Sequence, residues 1–193
     1  MDEDLVMPPR KSPDDYDYKP LRQGDLDGLC GVYAVLNALQ WLVPKAQNPD
    51  FLTKLFDRMM GSIININHVR DGGEEPEIQV VHAFVAEVAK KKFKVNFKRI
   101  PRDWDAKAFK TPDLAMEAKF NEKERGVFVF GFEGIDSHFS VAHAVTAKRI
   151  TLFDSWEYPY FDRGLFVWGA QKRQTKSERV IVNPKEFDWM TIG

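Results

Sequence analysis

The stretch LCGVYAVLNALQWLV, Leu29–Val43, sets Val32, Val35, Leu36, Leu39 and Leu42 at helical spacing, and Pro44 follows it directly. Apolar side chains recurring every three to four residues form one continuous stripe on a helix, and a proline cannot extend the hydrogen-bond ladder behind it. The stretch therefore predicts a largely buried helix of about four turns. Cys30, the single cysteine of the chain, stands in its first turn.

Upstream, residues 1–20 hold Pro8, Pro9, Pro13 and Pro20 among charged side chains. Such a composition predicts a poorly ordered arm, with one domain over 21–193. Downstream, amphipathic segments over about Asp50–Met60 and about Glu77–Lys91 read as two further helices. Beyond them the pattern changes to short β-branched and aromatic runs, KVNFKRI, GVFVFGF, HFSVAHAVTA, RITLFDSW, GLFVWG and RVIVN, parted by charged or glycine-containing turns. Helices first and strands second predict an α+β domain, its N-terminal helical part packed on a C-terminal antiparallel sheet.

A chain of 193 residues buries one substantial core, and 44% hydrophobic with 30% charged residues is a globular composition. Lys and Arg number 28 against 29 Asp and Glu, a net charge of −1 that gives no support to a nucleic-acid partner. No apolar run approaches the roughly 18 residues that span a bilayer. The opening MDEDLVMPPRKSPDD lacks the basic and apolar regions of a secretory signal, so a cytoplasmic location is expected. One cysteine allows neither an internal disulfide nor a CxxC pair. Cys30 is thus either a small buried hydrophobe or a reactive thiol.

Its neighbours bear on the choice. A thiol of pKa about 8.5 attacks as its thiolate, which the partial positive charge of a helix N-terminus favours. The unpaired N–H groups there can also hold a developing oxyanion. Gly28 and Gly31 keep bulk away on either side of the sulfur, where a substrate must approach. Gln23, on the loop seven residues before Cys30, is either a solvated glutamine or the amide that donates a second oxyanion hydrogen bond. Asp25 and Asp27 read as turn or capping residues.

A general base must reach the thiol and gain from an acceptor on its other nitrogen. Of the four histidines, His68 sits in the loop INHVRDGG and His82 on the third helix, where packing or exposure explains them. His138 opens the strand HFSVAHAV, and sixteen residues later Asp154 closes the strand ITLF, with a turn at Ala147–Arg149 between. A hairpin of that length brings His138 and Asp154 to one end, where the carboxylate can fix the imidazole tautomer. His143, five residues past His138, faces the opposite side of a regular strand.

The order Gln23, Cys30-Gly31, His138, Asp154 resembles the papain-like cysteine peptidases, closest in pattern to the bacterial bacteriocin-processing group. In that superfamily a glutamine precedes a cysteine that opens the central helix, a histidine begins a later strand, and Asn or Asp follows on the next. Asp154-Ser155-Trp156 is similar to the family's Asn-Ser-Trp, in which the tryptophan shields the histidine's hydrogen bond from water. The Gln23-to-Cys30 interval is one residue longer than usual, Gly-Val-Tyr follows the cysteine, and there is no disulfide framework. The last two features argue for an intracellular relative. The resemblance lies over Leu21–Leu39 and Val127–Trp156, about a quarter of the chain.

The resemblance implies acyl transfer by a Cys30–His138–Asp154 triad with Gln23 as oxyanion donor, and Gly28, Gly31 and Trp156 beside the substrate. It requires no metal or organic cofactor. A protein or peptide substrate is expected, with hydrolysis of a peptide or isopeptide bond leading. A glutamine deamidase or transglutaminase-type effector and an inactive binding module on the same fold are the alternatives. The acidic loop Asp71–Glu75, the basic run Lys90–Lys92 with Lys94, Lys98 and Arg99, and the segment Gln171–Lys176 have the composition of solvated surface or of partner contacts.

Overall fold

The computed structural model describes residues 19–23, 29–62, 75–99, 108–122, 124–169 and 178–193. Residues 1–18 of the expected arm over 1–20, Asp25, Asp27, Gly28, His68, residues 71–74 of the acidic loop and the segment 171–176 lie outside the described residues. Helix α1 runs Cys30–Leu42, α2 Pro49–Ser62, α3 Glu75–Val88 and α4 Pro112–Phe120. The strands are β1 Phe97–Arg99, β2 Gly126–Gly134, β3 His138–Val145, β4 Arg149–Leu152, β5 Tyr160–Asp162, β6 Phe166–Trp168 and β7 Val180–Ile192. Helices and a mainly antiparallel sheet make this an α+β fold.

Helix α1 is buried along nearly its whole length, as its apolar spacing requires, and two polar side chains are buried with it: Asn37 and Gln40. Buried amides need partners. Asn37 accepts from Leu21 N–H at 2.8 Å and donates to Leu21 O at 3.3 Å, and Gln40 donates to Lys19 O at 2.9 Å. The helix that carries Cys30 thereby holds the incoming backbone, residues 19–21, alongside itself.

The second helix begins behind Asn48, whose Oδ1 accepts the N–H of Phe51 at 3.0 Å, an N-cap that satisfies an otherwise orphaned donor. The third does not stop at Val88 but passes into a π turn over Ala89–Phe93, closed by Lys94 in the left-handed region at φ 56°.

The sheet has the order β1-β7-β2-β3-β4-β5, with β6 beside the first part of β7. That last pairing is parallel, Phe166 to Val180 through Trp168 to Val182, where a wholly antiparallel sheet was expected. Whether two strands pair in parallel is set by how they meet in the sheet, which no local residue pattern reveals. Strand β7 also runs well past RVIVN and contains Pro184, absorbed where the β2 register jumps from Phe132↔Val182 to Phe130↔Phe187. Helix α4 and strand β5 had no counterpart in the periodicity. Leu114 of α4 is 39% exposed, while Ala115, Met116 and Phe120 are buried, so its apolar stripe is short and mixed with an exposed leucine.

Both faces of the sheet are covered. On one, Val127, Val129, Val141 and Phe153 pack under α1, α2 and α3. On the other, Phe128, Phe130, Phe132 and Ile150 pack with Met116 and Phe120 of α4 and with Phe161, Phe166 and Trp189. Arg163 ties this second layer down: its Nε donates to Asp113 at 2.9 Å, its terminal nitrogens donate to Glu117 at 3.1 and 2.6 Å, and Nη1 also donates to Thr146 O at 3.3 Å. Phe128 centres that layer, stacked on Phe187 at 4.6 Å and packed against Phe120 and Trp189. Truncation leaves a cavity that this close-packed cluster cannot fill, so Phe128→Ala is expected to cost about 3–5 kcal/mol in urea unfolding.

Candidate active site

Cys30 opens α1 and is partly exposed, directly after the buried Leu29. The first helical hydrogen bond runs from Tyr33 N–H to Leu29 O at 3.0 Å, which leaves the N–H groups of Cys30, Gly31 and Val32 outside the ladder. No side chain caps this helix end among the described residues. Gly31 is buried, and a Cβ there would stand 2.9 Å from Ile78 Cδ1 and 3.7 Å from Phe139. Its glycine is therefore explained by packing: it lets the first turn of α1 close on both α3 and the start of β3.

At that strand start, His138 Nε2 lies 3.0 Å from Asp154 Oδ2, both side chains fully buried. A carboxylate only accepts, so Nε2 is the donor, and in the neutral ring Nδ1 is left with the lone pair. Nδ1 is buried, makes no well-directed hydrogen bond, and is the nitrogen left to the Cys30 thiol. The hairpin builds the pair as its length predicted. Ala142 pairs with Leu152 and Val145 with Ile150, Phe153 N–H reaches Val141 O at 2.8 Å, and Thr146 closes the turn onto Arg149.

Burial works against a charged imidazole, but the hydrogen bond that Nε2 donates to Asp154, with the electrostatic influence of Asp154 and of the nearby Cys30, outweighs it and pushes the His138 pKa up to about 9. Asp154 is itself held. Its Oδ1 accepts the N–H of Trp156 at 2.7 Å and of Tyr158 at 3.4 Å, leaving Oδ2 for the ring. Trp156 lies over the imidazole with ring centroids 4.5 Å apart and planes 15° from parallel, and it is 40% exposed on its other side. It is a lid on the His138–Asp154 bond and a wall facing solvent.

No protein-family model, curated protein or solved structure matches this chain. The chemistry must be read from the side chains alone. Gln23 joins the site through its backbone, N–H to Ser155 O at 3.2 Å, which draws residues 21–23 from α1 across to the Asp154 loop. Gly28 lies outside the described residues. His143 is buried against Trp41, ring centroids 3.9 Å apart, and Trp41 is eleven residues along α1 from Cys30, about 16 Å away. His82 packs on Phe97, and burial, with the nearby charge of Arg99, lowers its pKa to about 4. It is a neutral packing residue.

The sequence reading did not single out Tyr158 and Asp136. The Tyr158 hydroxyl donates to Asp136 Oδ2 at 3.0 Å, burial and that bond push its pKa up to about 12, and its ring stands edge-on to His138 and Phe132. The bond fastens the loop before His138 to the loop after Asp154. Only the polar turn EGIDS hinted at it. Among the described residues, no group of three or more His, Cys, Asp and Glu side chains could hold a metal ion.

A pKa raised on folding from 6.5 to about 9 adds stability that is complete below 6.5 and lost as pH rises through 9. Asp154→Asn removes the acceptor's charge and should lower the His138 pKa, followed by ring NMR resonances. The stability gap between the wild type and this variant should be widest near pH 6 and shrink steadily between pH 6.5 and 9.

Proposed function

We propose that this chain is a thiol-dependent acyl-transfer enzyme of papain-like type, a peptidase that hydrolyses a peptide or isopeptide bond. One observation carries the reading: the sole cysteine meets, at a helix N-terminus, an imidazole that is bonded to a buried carboxylate and roofed by a tryptophan. A structural cysteine needs none of these neighbours. An imidazole of pKa about 9 is an imidazolium at neutral pH, the partner that stabilises an adjacent thiolate.

In this reading the Cys30 sulfur forms a bond to the carbonyl carbon, and the carbonyl π pair moves onto oxygen. The α1 N–H groups and the Gln23 amide hold that oxyanion. As the tetrahedral adduct collapses, His138 gives its proton to the departing amine, and the thioester remains. The now neutral Nδ1 takes a proton from water, hydroxide character attacks the thioester, and the thiolate–imidazolium pair is restored with release of the acid. Asp154 fixes the ring and stabilises its positive charge. Because His138 must be charged to protonate the amine, turnover should decline above pH 9.

The test needs no natural substrate. Iodoacetamide should alkylate Cys30 rapidly at about pH 6, where a free thiol of pKa about 8.5 is sluggish, and His138→Ala should slow that reaction at least tenfold. Gln23→Ala should leave alkylation unchanged, since displacement of iodide makes no oxyanion, but slow acylation by p-nitrophenyl acetate by about 10²-fold. Sluggish alkylation at every pH, indifferent to His138, would sink the reading and favour a binding module.

A further inference from the structure

Lys91 and Lys92 of the basic run Lys90–Lys92 have no role at the Cys30 centre, yet the fold gives them a definite setting: one rim of an open groove between α2 and α3, about 460 Å³ in volume. Phe51 and Leu55 of α2 face Phe84 and Val88 of α3 across its floor. Each pair is spaced i, i+4, so each helix offers one apolar row, and two such rows form a trough that accepts side chains of a third segment. Above this floor stand exposed cations, Lys54 and Arg58 on one side, Lys91 and Lys92 on the other. The Lys92 ammonium sits 3.6 Å over the Phe51 ring, which fixes one positive charge at the trough's edge. Among the described lining residues cations outnumber carboxylates, Lys54, Lys91 and Lys92 standing against Glu87, which is bound to Lys91, while the chain as a whole carries −1.

The groove also has a fixed relation to Cys30. Ile78 packs on Gly31 at the first turn of α1, and Phe84 and Val88 lie six and ten residues further along the same helix, about 9 and 15 Å. An extended peptide covers that span in about three to five residues. We propose that the groove binds an acidic segment with apolar side chains, belonging to the protein substrate and lying that far from the bond attacked by Cys30. The apolar floor takes Leu- or Phe-like anchors and the paired rims take carboxylates. A nucleic-acid backbone would leave the floor unused, and the chain's balanced charge offers it no continuous track. This extension rests on the acyl-transfer reading of the Cys30 centre.

Fluorescence polarisation with a short fluorescein-labelled peptide of Asp, Glu, Leu and Phe tests it on the full chain. The peptide should bind wild type and Cys30→Ala equally. A counterpart with Lys for every acid should bind at least tenfold more weakly, and so should the acidic peptide to the Lys54→Glu/Lys92→Glu variant. Raising salt from about 50 to about 500 mM should weaken the interaction, as for any screened contact. On 15N-labelled wild type the peptide should shift amides within 51–58 and 84–92, a readout independent of whether the variant folds. The groove assignment is overturned if the acidic peptide binds no better than the basic one, if the double variant retains full affinity, or if the shifted amides lie elsewhere. Preference for phosphatidylglycerol vesicles or single-stranded DNA over the peptide overturns it too. Peptide binding with an inert Cys30 would keep the groove and remove its role in substrate selection. A reactive Cys30 without peptide binding would remove the groove and leave the centre untouched.

Discussion

An imidazole and a carboxylate buried together, with neither side chain reaching solvent, impose a condition on everything around them. Burial alone expels the charge from a histidine, as it does at His82. At His138 the sign is reversed, because Asp154 accepts the hydrogen bond that Nε2 donates and Cys30 stands near the other side of the ring. The backbone N–H groups of Trp156 and Tyr158 hold the second oxygen of Asp154, which orients the first toward the ring. Trp156 keeps water from competing, and Tyr158 locks the flanking loop through Asp136. Without Asp154, burial would leave a neutral ring here, as it does at His82.

Building that centre takes two unrelated parts of the chain, and the layered fold supplies the join. Helix α1 lies on one face of the sheet with its first turn at the start of β3, and the missing Cβ of Gly31 lets it come that close. The β3–β4 hairpin returns Asp154 to the same end as His138. The other face, filled by the Phe128 cluster and clamped by Arg163, keeps the hairpin from shifting in register. A slip of one residue would send His138 to the wrong side of the sheet.

Much of this was legible beforehand because the signals were local. A fifteen-residue apolar stripe ending in proline reads as α1, with Cys30 at its start. The spacing from His138 to Asp154 across a short polar turn reads as a hairpin with both ends together. The elements that escaped had weak or contradictory local patterns: α4 with its exposed Leu114, the three-residue β5, and the parallel pairing of β6 with β7. Asn37 and Gln40 look like interruptions of the apolar stripe, yet they hold the backbone that leads toward the cysteine.

The amino-acid pattern by itself determined the α+β order, the helix that begins at Cys30 and the hairpin that unites His138 with Asp154, since each follows from residue spacing within one or two neighbouring elements. Only the tertiary structure decided that the thiol and the imidazole meet. It likewise decided that Gln23 is tied to the Ser155 backbone, that His143 belongs to Trp41, and that Lys91 and Lys92 border an apolar trough. Those relations cross tens of residues and depend on how helices seat on a sheet, a matter of packed volume and buried hydrogen bonds that no local periodicity encodes.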